Sequence, residues 1–383
     1  MNYNNDSRIV MTLDAGGTNF VFNAVQGEEE ILEPIVLPAK GDSLEEALNM
    51  IIEGFNVVKS KLVHQATDVL LNPAPLTKQP VAISFAFPGP ADYENGIIGD
   101  LQNLPFFRGG VALGPMLREK FGIPVFINND GDLFAYGEAI AGLLPGINKK
   151  LEEVGNPKRY RNLFGVTFGT GFGGGIVTRN GLHIGDNSSG GEINRMRNRS
   201  FKNWDTEESV SIRGIQREFS KHTGTDISAC PEPKEIFEIG IGKRKGRQQA
   251  AIRAFEAFAR DAADAIANAI TLIDGLVVIG GGLSGAWPLF LPKLVGEMNH
   301  PFDTMSGKPL ERIETVAFNL EDPTDYGKFL TSTSKVIPVP FSENMVNFDP
   351  EKKIGVGISR LGTSRAVSIG AYAFALNMLQ SGG

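Results

Sequence analysis

The chain holds a single cysteine, Cys230, so neither an intrachain disulfide nor a cysteine-rich zinc site can form. Its four histidines, His64, His183, His222 and His300, are scattered, which argues against a metal cluster and against a Ser-His-Asp triad. No apolar run approaches the length of a bilayer span, and the polar start from Met1 to Arg8 lacks the basic and apolar segments of a signal peptide. Cationic residues are the minority: a net charge of -7 and a pI near 5.3 leave no concentrated basic face for nucleic acid. The short basic clusters at Lys149-Lys150, Lys158-Arg159-Tyr160-Arg161 and Lys243-Arg244-Lys245 fall in glycine- or proline-marked loops and read as solvated surface. These absences point to a cytoplasmic protein with neither nucleic acid nor membrane as partner. Its chemistry has to run on carboxylates, amides and backbone donors.

Glycine is what the chain has in excess, 46 residues in 383, concentrated in a few runs. The length suits two domains. Strand-like runs at Arg8 to Asp14 and Thr18 to Val25 flank Ala15-Gly16-Gly17 and predict a hairpin. A further strand is expected over Ile31 to Leu37. Ser43 with Glu46 then forms a capping box ahead of Leu44, Leu48, Ile51, Ile52, Phe55 and Val58 on one helical face. Strands over Val81 to Phe87 and Val125 to Ile127 and a helix near Leu113 to Lys120 complete a mixed sheet flanked by helices. Residues 145–162 read as a polar connector.

After that connector the pattern returns. Leu163 to Phe168, the run Gly169 to Gly175, and Ile176 to Thr178 echo Val10 to Phe22, which implies an internal duplication. Helices are expected near Glu208 to Lys221, Lys234 to Ile239, Gln248 to Ile273, Trp287 to Met298 and Arg365 to Leu379. Residues 301–350 show no periodicity.

The strand Val125 to Ile127 ends in Asn128-Asn129-Asp130-Gly131. Asp130 reads as a helix N-cap and also as a base, at the carboxyl end of a strand where open α/β sheets bind their ligands. Asp14-Ala15-Gly16-Gly17-Thr18-Asn19 can hold terminal phosphates: Gly16 and Gly17 expose backbone N–H groups, Thr18 and Asn19 donate, and Asp14 can hold the hydration shell of Mg2+. The turn containing Thr170 and Gly171 offers similar amides. Gly280-Gly281-Gly282-Leu283-Ser284, between a strand and a helix, offers Gly281 and Gly282 to an adenosine. Any one of these could be a plain turn, whereas three at strand ends favour a nucleotide. None is a Walker A loop or a Rossmann fingerprint.

Taken together, these runs, with Gly137-Glu138 downstream of Asp130, resemble the ROK family of sugar kinases and sugar-responsive repressors, of the actin, hexokinase and Hsp70 superfamily. The resemblance runs from Leu13 to about Ala373. It implies an α/β fold of two ribonuclease H-like (actin-like ATPase) domains, each a mixed sheet flanked by helices, facing across a cleft. The expected division is residues 1–130 plus a C-terminal helix at about 365–383, and residues 131–364. It also implies ATP-dependent phosphorylation of a hexose or amino sugar with ATP and Mg2+ as cofactors, and a homodimer or homotetramer.

By that resemblance Asp130 is the catalytic base. Asn103, in Asn-Leu-Pro, Asn129, Glu192, in Gly-Glu-Ile, and Glu207 are sugar ligands. The family pattern breaks after Glu192: Asn194-Arg195 stand where Gly-His is usual, and Met196 to Trp204 replace a cysteine-rich zinc motif. No zinc is therefore expected, and Arg195 is a candidate for an acidic or phosphorylated sugar as much as for a surface ion pair. Two further classes stay in view, a catalytically silent sugar or nucleotide binder and a sugar-responsive regulator. Against the regulator, only thirteen residues precede Asp14, too few for a helix-turn-helix.

Overall fold

The computed structural model describes residues 3–15, 19–39, 43–67, 79–101, 104–179 and 181–381. The chain divides into two compact units: Met1–Gly142 with Gly181–Gly191 and Leu361–Gly383, and Leu143–Asn180 with Glu192–Arg360. The first unit thus extends past residue 130 and takes in a segment at 181–191 as well as the C-terminal helix.

In the first unit, strands β1 (Ile9–Ala15) and β2 (Asn19–Gln26) form an antiparallel hairpin closed by the pair Ala15 and Phe20. Strand β3 (Ile35–Pro38) adds antiparallel to β2. Helix α1 (Leu44–Thr67) begins where expected, with Ser43 Oγ accepting from Glu46 N at 3.2 Å. Ala47, Ile51, Phe55, Val58 and Leu62, one turn apart, are buried against the sheet. Strands β4 (Pro80–Ala86) and β5 (Val125–Asn128), with helix α2 (Leu113–Phe121) between them in sequence, pair in parallel. The sheet order is β3-β2-β1-β4-β5. Helix α3 (Asp130–Ile140) follows β5 directly.

In the second unit, residues 145–162, expected as a connector, lie instead in helix α4 (Leu143–Glu153) over their first part. Its Lys and Glu residues hide a clean apolar face, Leu143, Leu144, Ile147 and Leu151, all buried, and Pro145 sits in the first turn where no N–H is needed. Strands β6 (Leu163–Phe168) and β7 (Phe172–Thr178) make a second hairpin. Helices α5 (Ile212–Thr223), α6 (Pro233–Gly240) and α7 (Gln248–Ile273) follow, and the alanine-rich α7 buries Ala251, Ala254, Phe255, Phe258 and Ala262 in the core. Strand β8 (Leu276–Gly280) and helix α8 (Trp287–Met298) come next. The aperiodic region contains β9 (Val316–Asn319), α9 (Pro323–Leu330) and a hairpin of β10 (Lys335–Pro338) and β11 (Met345–Phe348), followed by β12 (Lys353–Ile358).

The second sheet runs β7-β6-β8-β12-β9, an antiparallel hairpin followed by parallel strands. Both sheets thus begin with an antiparallel hairpin continued by parallel strands, but in the second sheet β12, the last strand in chain order, lies between β8 and β9. Helix α10 (Thr363–Ser381) belongs to the first unit and crosses α3 at close range. A Cβ at Gly370 would lie 1.9 Å from Leu133 O, and one at Gly137 would lie 1.9 Å from Ala366 O. Only glycine at both crossing points lets the two backbones approach this closely. This crossing fixes the helix that carries Asp130.

Candidate active site

Three strands of the first unit end side by side. Asp14 of β1 is registered with Ala86 of β4, and Ala86 with Asn128 of β5, so Asp14 and the Asn128-Asn129-Asp130 corner share one carboxyl edge of the sheet. The N-cap of α3 is Asn129, whose Oδ1 accepts from Gly131 N at 2.8 Å, and Asp130 is the first helical residue. Asp130 is therefore not the cap that the sequence suggested; the amide before it takes that role. Its Oδ1 also accepts from Gly131 N, at 2.9 Å, which aims the carboxylate at the helix N-terminus. The buried Asn128 holds the corner from behind, its Oδ1 accepting from Asn129 N at 3.1 Å.

The side chain of Asp130 is exposed by surface area, but protein crowds it closely. Loss of hydration pushes its carboxyl above the ordinary range, the bond from Gly131 N opposes this, and the negative charge of Asp14 adds to the rise. Water still reaches the group, which keeps it ionisable. Asp14 is also raised by loss of hydration, and the Ser364 hydroxyl, at the start of α10, donates to it and lowers it. Asn19 opens β2 and is exposed. Gly16, Gly17 and Thr18 of the first glycine turn, and Asn103, lie outside the described residues.

In the second unit the glycine run divides. Gly169, Thr170 and Gly171 form the turn, closed by Gly169 N donating to Gly171 O at 3.0 Å, while Gly173, Gly174 and Gly175 are strand residues paired with β6. The turn is tied to its surroundings at three points: Ile212 N donates to Gly169 O at 2.9 Å, Arg213 Nη1 to Thr170 O at 3.4 Å, and Phe172 N to Glu207 Oε2 at 3.0 Å. The other glycine loop closes on the same strand end, since Leu283 N donates to Phe168 O at 3.0 Å. Gly281 has φ of 86° and a Cβ there would lie 2.3 Å from Phe168 O, so this position requires glycine. Around Gly282 the space is open.

The structure thus brings Thr170, Gly171, Gly281 and Gly282 to one strand end, together with Glu207. Both Glu207 oxygens are engaged, Oε2 by Phe172 N and Oε1 by Arg213 Nη2 at 3.2 Å. Glu192 caps a single 3-10 turn (Ile193–Arg195) whose last residue is Arg195; both are exposed, and neither enters an ion pair among the described residues. The sequence reading missed Ser364 and Arg213. Neither lies within a motif; Ser364 is distant in the chain from Asp14, and Arg213, six residues beyond Glu207, meets it only once α5 is formed. Among the described residues no cluster of His, Cys, Asp and Glu could hold a metal ion, and no helix is long and apolar enough to cross a membrane.

Two units, each an antiparallel hairpin continued by parallel strands, one with carboxylates at its strand ends and the other with glycine turns, make up an α/β protein of the actin-like ATPase class. The chain belongs to the ROK family, whose pattern it matches over residues 10–314. It is similar to the crystal structure of a glucokinase from Parabacteroides distasonis, with 51% identity, a TM-score of 0.85, and coverage of 98% of this chain and 99% of that one. It is also similar to a glucokinase of Thermotoga maritima, 26% identical over 292 residues, covering 72% of this chain and 82% of that protein. An N-acetyl-D-glucosamine kinase of Haemophilus influenzae is 27% identical over 302 residues, 73% of this chain and 87% of that protein.

Proposed function

We propose that this protein is an ATP-dependent sugar kinase that phosphorylates a hydroxyl of a hexose or amino sugar, with Asp130 as general base. Glucose is the first substrate to test, because the 51% identical relative is a glucokinase, and N-acetylglucosamine is the second. The observation that carries the reading is the shared strand edge of Asp14 and Asp130, with the Asp130 carboxyl held above its ordinary range. A carboxyl raised above its ordinary range is a better proton acceptor than an unperturbed one.

Asp130 orients the attacking hydroxyl and takes its proton, held by the Gly131 N–H and the rigid α3. Asn129 spends its oxygen on the cap and keeps its amide N–H2 for a sugar oxygen. Asn103, Glu192, Glu207 and Arg195 are carried as further sugar ligands on the family pattern. Asp14 presents an exposed carboxylate bonded by one hydroxyl, a donor that suits a hard cation which keeps most of its waters. Bound ATP and Mg2+ supply the phosphoryl group and neutralise its charge. Asn19, Gly16, Gly17 and Thr18 in the first unit, and Thr170, Gly171, Gly281 and Gly282 in the second, offer donors or bare backbone to the nucleotide. The assembly proposed, on the family resemblance alone, is a homodimer or homotetramer.

One second reading has a specific motive. Asn194-Arg195 depart from the family pattern, and Asn194 Oδ1 is buried without a hydrogen-bond partner among the described residues, which keeps a silent sugar binder in view. A panel of hexoses and amino sugars with ATP, read by ADP release, separates the two. Turnover on at least one sugar is expected; binding without turnover on any would replace the kinase with the binder.

A further inference from the structure

The segment from Asn194 to Ser209 carries Glu207, yet it holds no helix or strand beyond the end of one 3-10 turn, a second 3-10 turn, Thr206–Glu208, and a single bridge between Arg197 and Asp205. It is ordered around one amide. Asn198 is 2% exposed and uses every position it has: Nδ2 donates to Asp205 O at 2.9 Å and to Ser209 Oγ at 2.8 Å, and Oδ1 accepts from Ser200 N and Phe201 N, both at 2.9 Å. Two donors and two lone pairs are the full inventory of an amide, so neither a carboxylate nor an apolar isostere could replace it. Phe201 and Trp204 stack at 4.3 Å. The Arg217 guanidinium lies 4.9 and 4.8 Å from their ring centres while donating to Glu208 O at 2.7 Å and to Ser209 Oγ at 3.3 Å. Ser200 Oγ anchors the whole to Asp261, buried on α7, at 2.5 Å.

The output of this knot is the placement of Glu207. Thr206 N and Oγ1 donate to Met196 O at 2.8 and 2.9 Å, and Asp205 Oδ1 accepts from Glu208 N at 3.1 Å, so the turn bearing Glu207 is fixed on both sides. Its carboxylate then takes the Phe172 N–H, the first donor after the Gly169–Gly171 turn. The fit is close: a Cβ at Gly171 would lie 2.6 Å from Glu207 Oε2. We propose that Asn198, Arg217 and the Phe201–Trp204 stack are positioning residues that act through Glu207 to set the Gly169–Gly171 turn for the nucleotide, without a metal and without touching substrate themselves. The nucleotide role of the turn rests on the kinase reading above; the mechanical link from knot to turn does not.

The test uses the full chain and two kinds of readout. Trp204→Ala and Arg217→Met are each expected to raise amide hydrogen exchange of the 169–175 segment by about tenfold or more, local opening being what exchange reports, with the first unit unchanged. Trp204→Phe, which keeps a stacking ring, restores protection. In turnover assays the same variants raise the nucleotide KM severalfold while kcat moves less. In a Glu207→Ala background they add nothing further, because residues acting through one partner are non-additive. A Trp204→Ala and Arg217→Met pair with reduced Tm but wild-type exchange at 169–175 would show a knot that serves stability alone and overturn the proposal; so would additive losses in the Glu207→Ala cycle. Loosened exchange in the variants, in a wild type that phosphorylates no sugar, would retire the kinase reading and leave the link standing.

Discussion

Protein crowds the Asp130 carboxyl and Asp14 adds a nearby negative charge, and both push it above its ordinary range. A folded-state value above the unfolded one, about 3.9 for Asp, means that the folded chain binds the extra proton between the two values. The stability this group contributes is therefore fully present below the unfolded value and is lost as pH rises through the folded value. In the ligand-free protein, Asp130→Asn is expected to have a Tm at or above wild type at pH 7, with the difference closing as pH falls towards about 4; calorimetry across that range reads it. The same substitution removes the proposed base and should cost ~10²- to 10⁴-fold in kcat. Near-normal turnover in that variant would remove Asp130 from the mechanism. For the wild type, kcat/KM should fall on the acid side with a midpoint above the ordinary carboxylate range, since the base must be deprotonated to act.

At the level of elements, the position of Asp130 depends on the crossing of α3 and α10. Gly137→Ala and Gly370→Ala each drive a methyl into a backbone carbonyl, which no rotamer can relieve. Overpacking of this kind costs ~1–3 kcal/mol or more. Both variants should lower Tm by several degrees, and where they fold they should lower kcat more than they raise the sugar KM, because the corner bearing the base is displaced. A wild-type Tm for Gly370→Ala would show that the helices can separate at little cost. This crossing could not be read from sequence, as its two glycines are 233 positions apart (370 less 137) and neither lies in a turn. Helices α1 and α7 could, because their apolar faces repeat at helical spacing over many turns. The α4 face was masked by Lys149, Lys150, Glu152 and Glu153, and β9 and α9 were too short for periodicity to show. Asp14, Asp130 and the glycine loops were legible because their chemistry is local. Ser364, Arg213 and the double engagement of Glu207 were not, because pairing partners are set by tertiary structure.

At the scale of the whole molecule, two units each present strand-end groups, and ligands that bind only the folded chain must add to its stability. The increment is RT ln(1 + [L]/Kd), about 2.7 kcal/mol at a hundredfold excess over Kd. ATP with Mg2+ and the correct sugar should each raise Tm in wild type, and Asp130→Asn should keep most of both shifts, because the base acts on the proton rather than on binding. Chelation should leave the Tm of the ligand-free chain unchanged and stop turnover, with Mg2+ restoring it and Zn2+ not. A Tm that collapses with chelator and recovers with Zn2+ would mean that the fold holds a structural metal. Sugar that raises Tm in wild type but not in Asp130→Asn would make Asp130 a binding residue first, and the base would have to be sought elsewhere on the same strand edge.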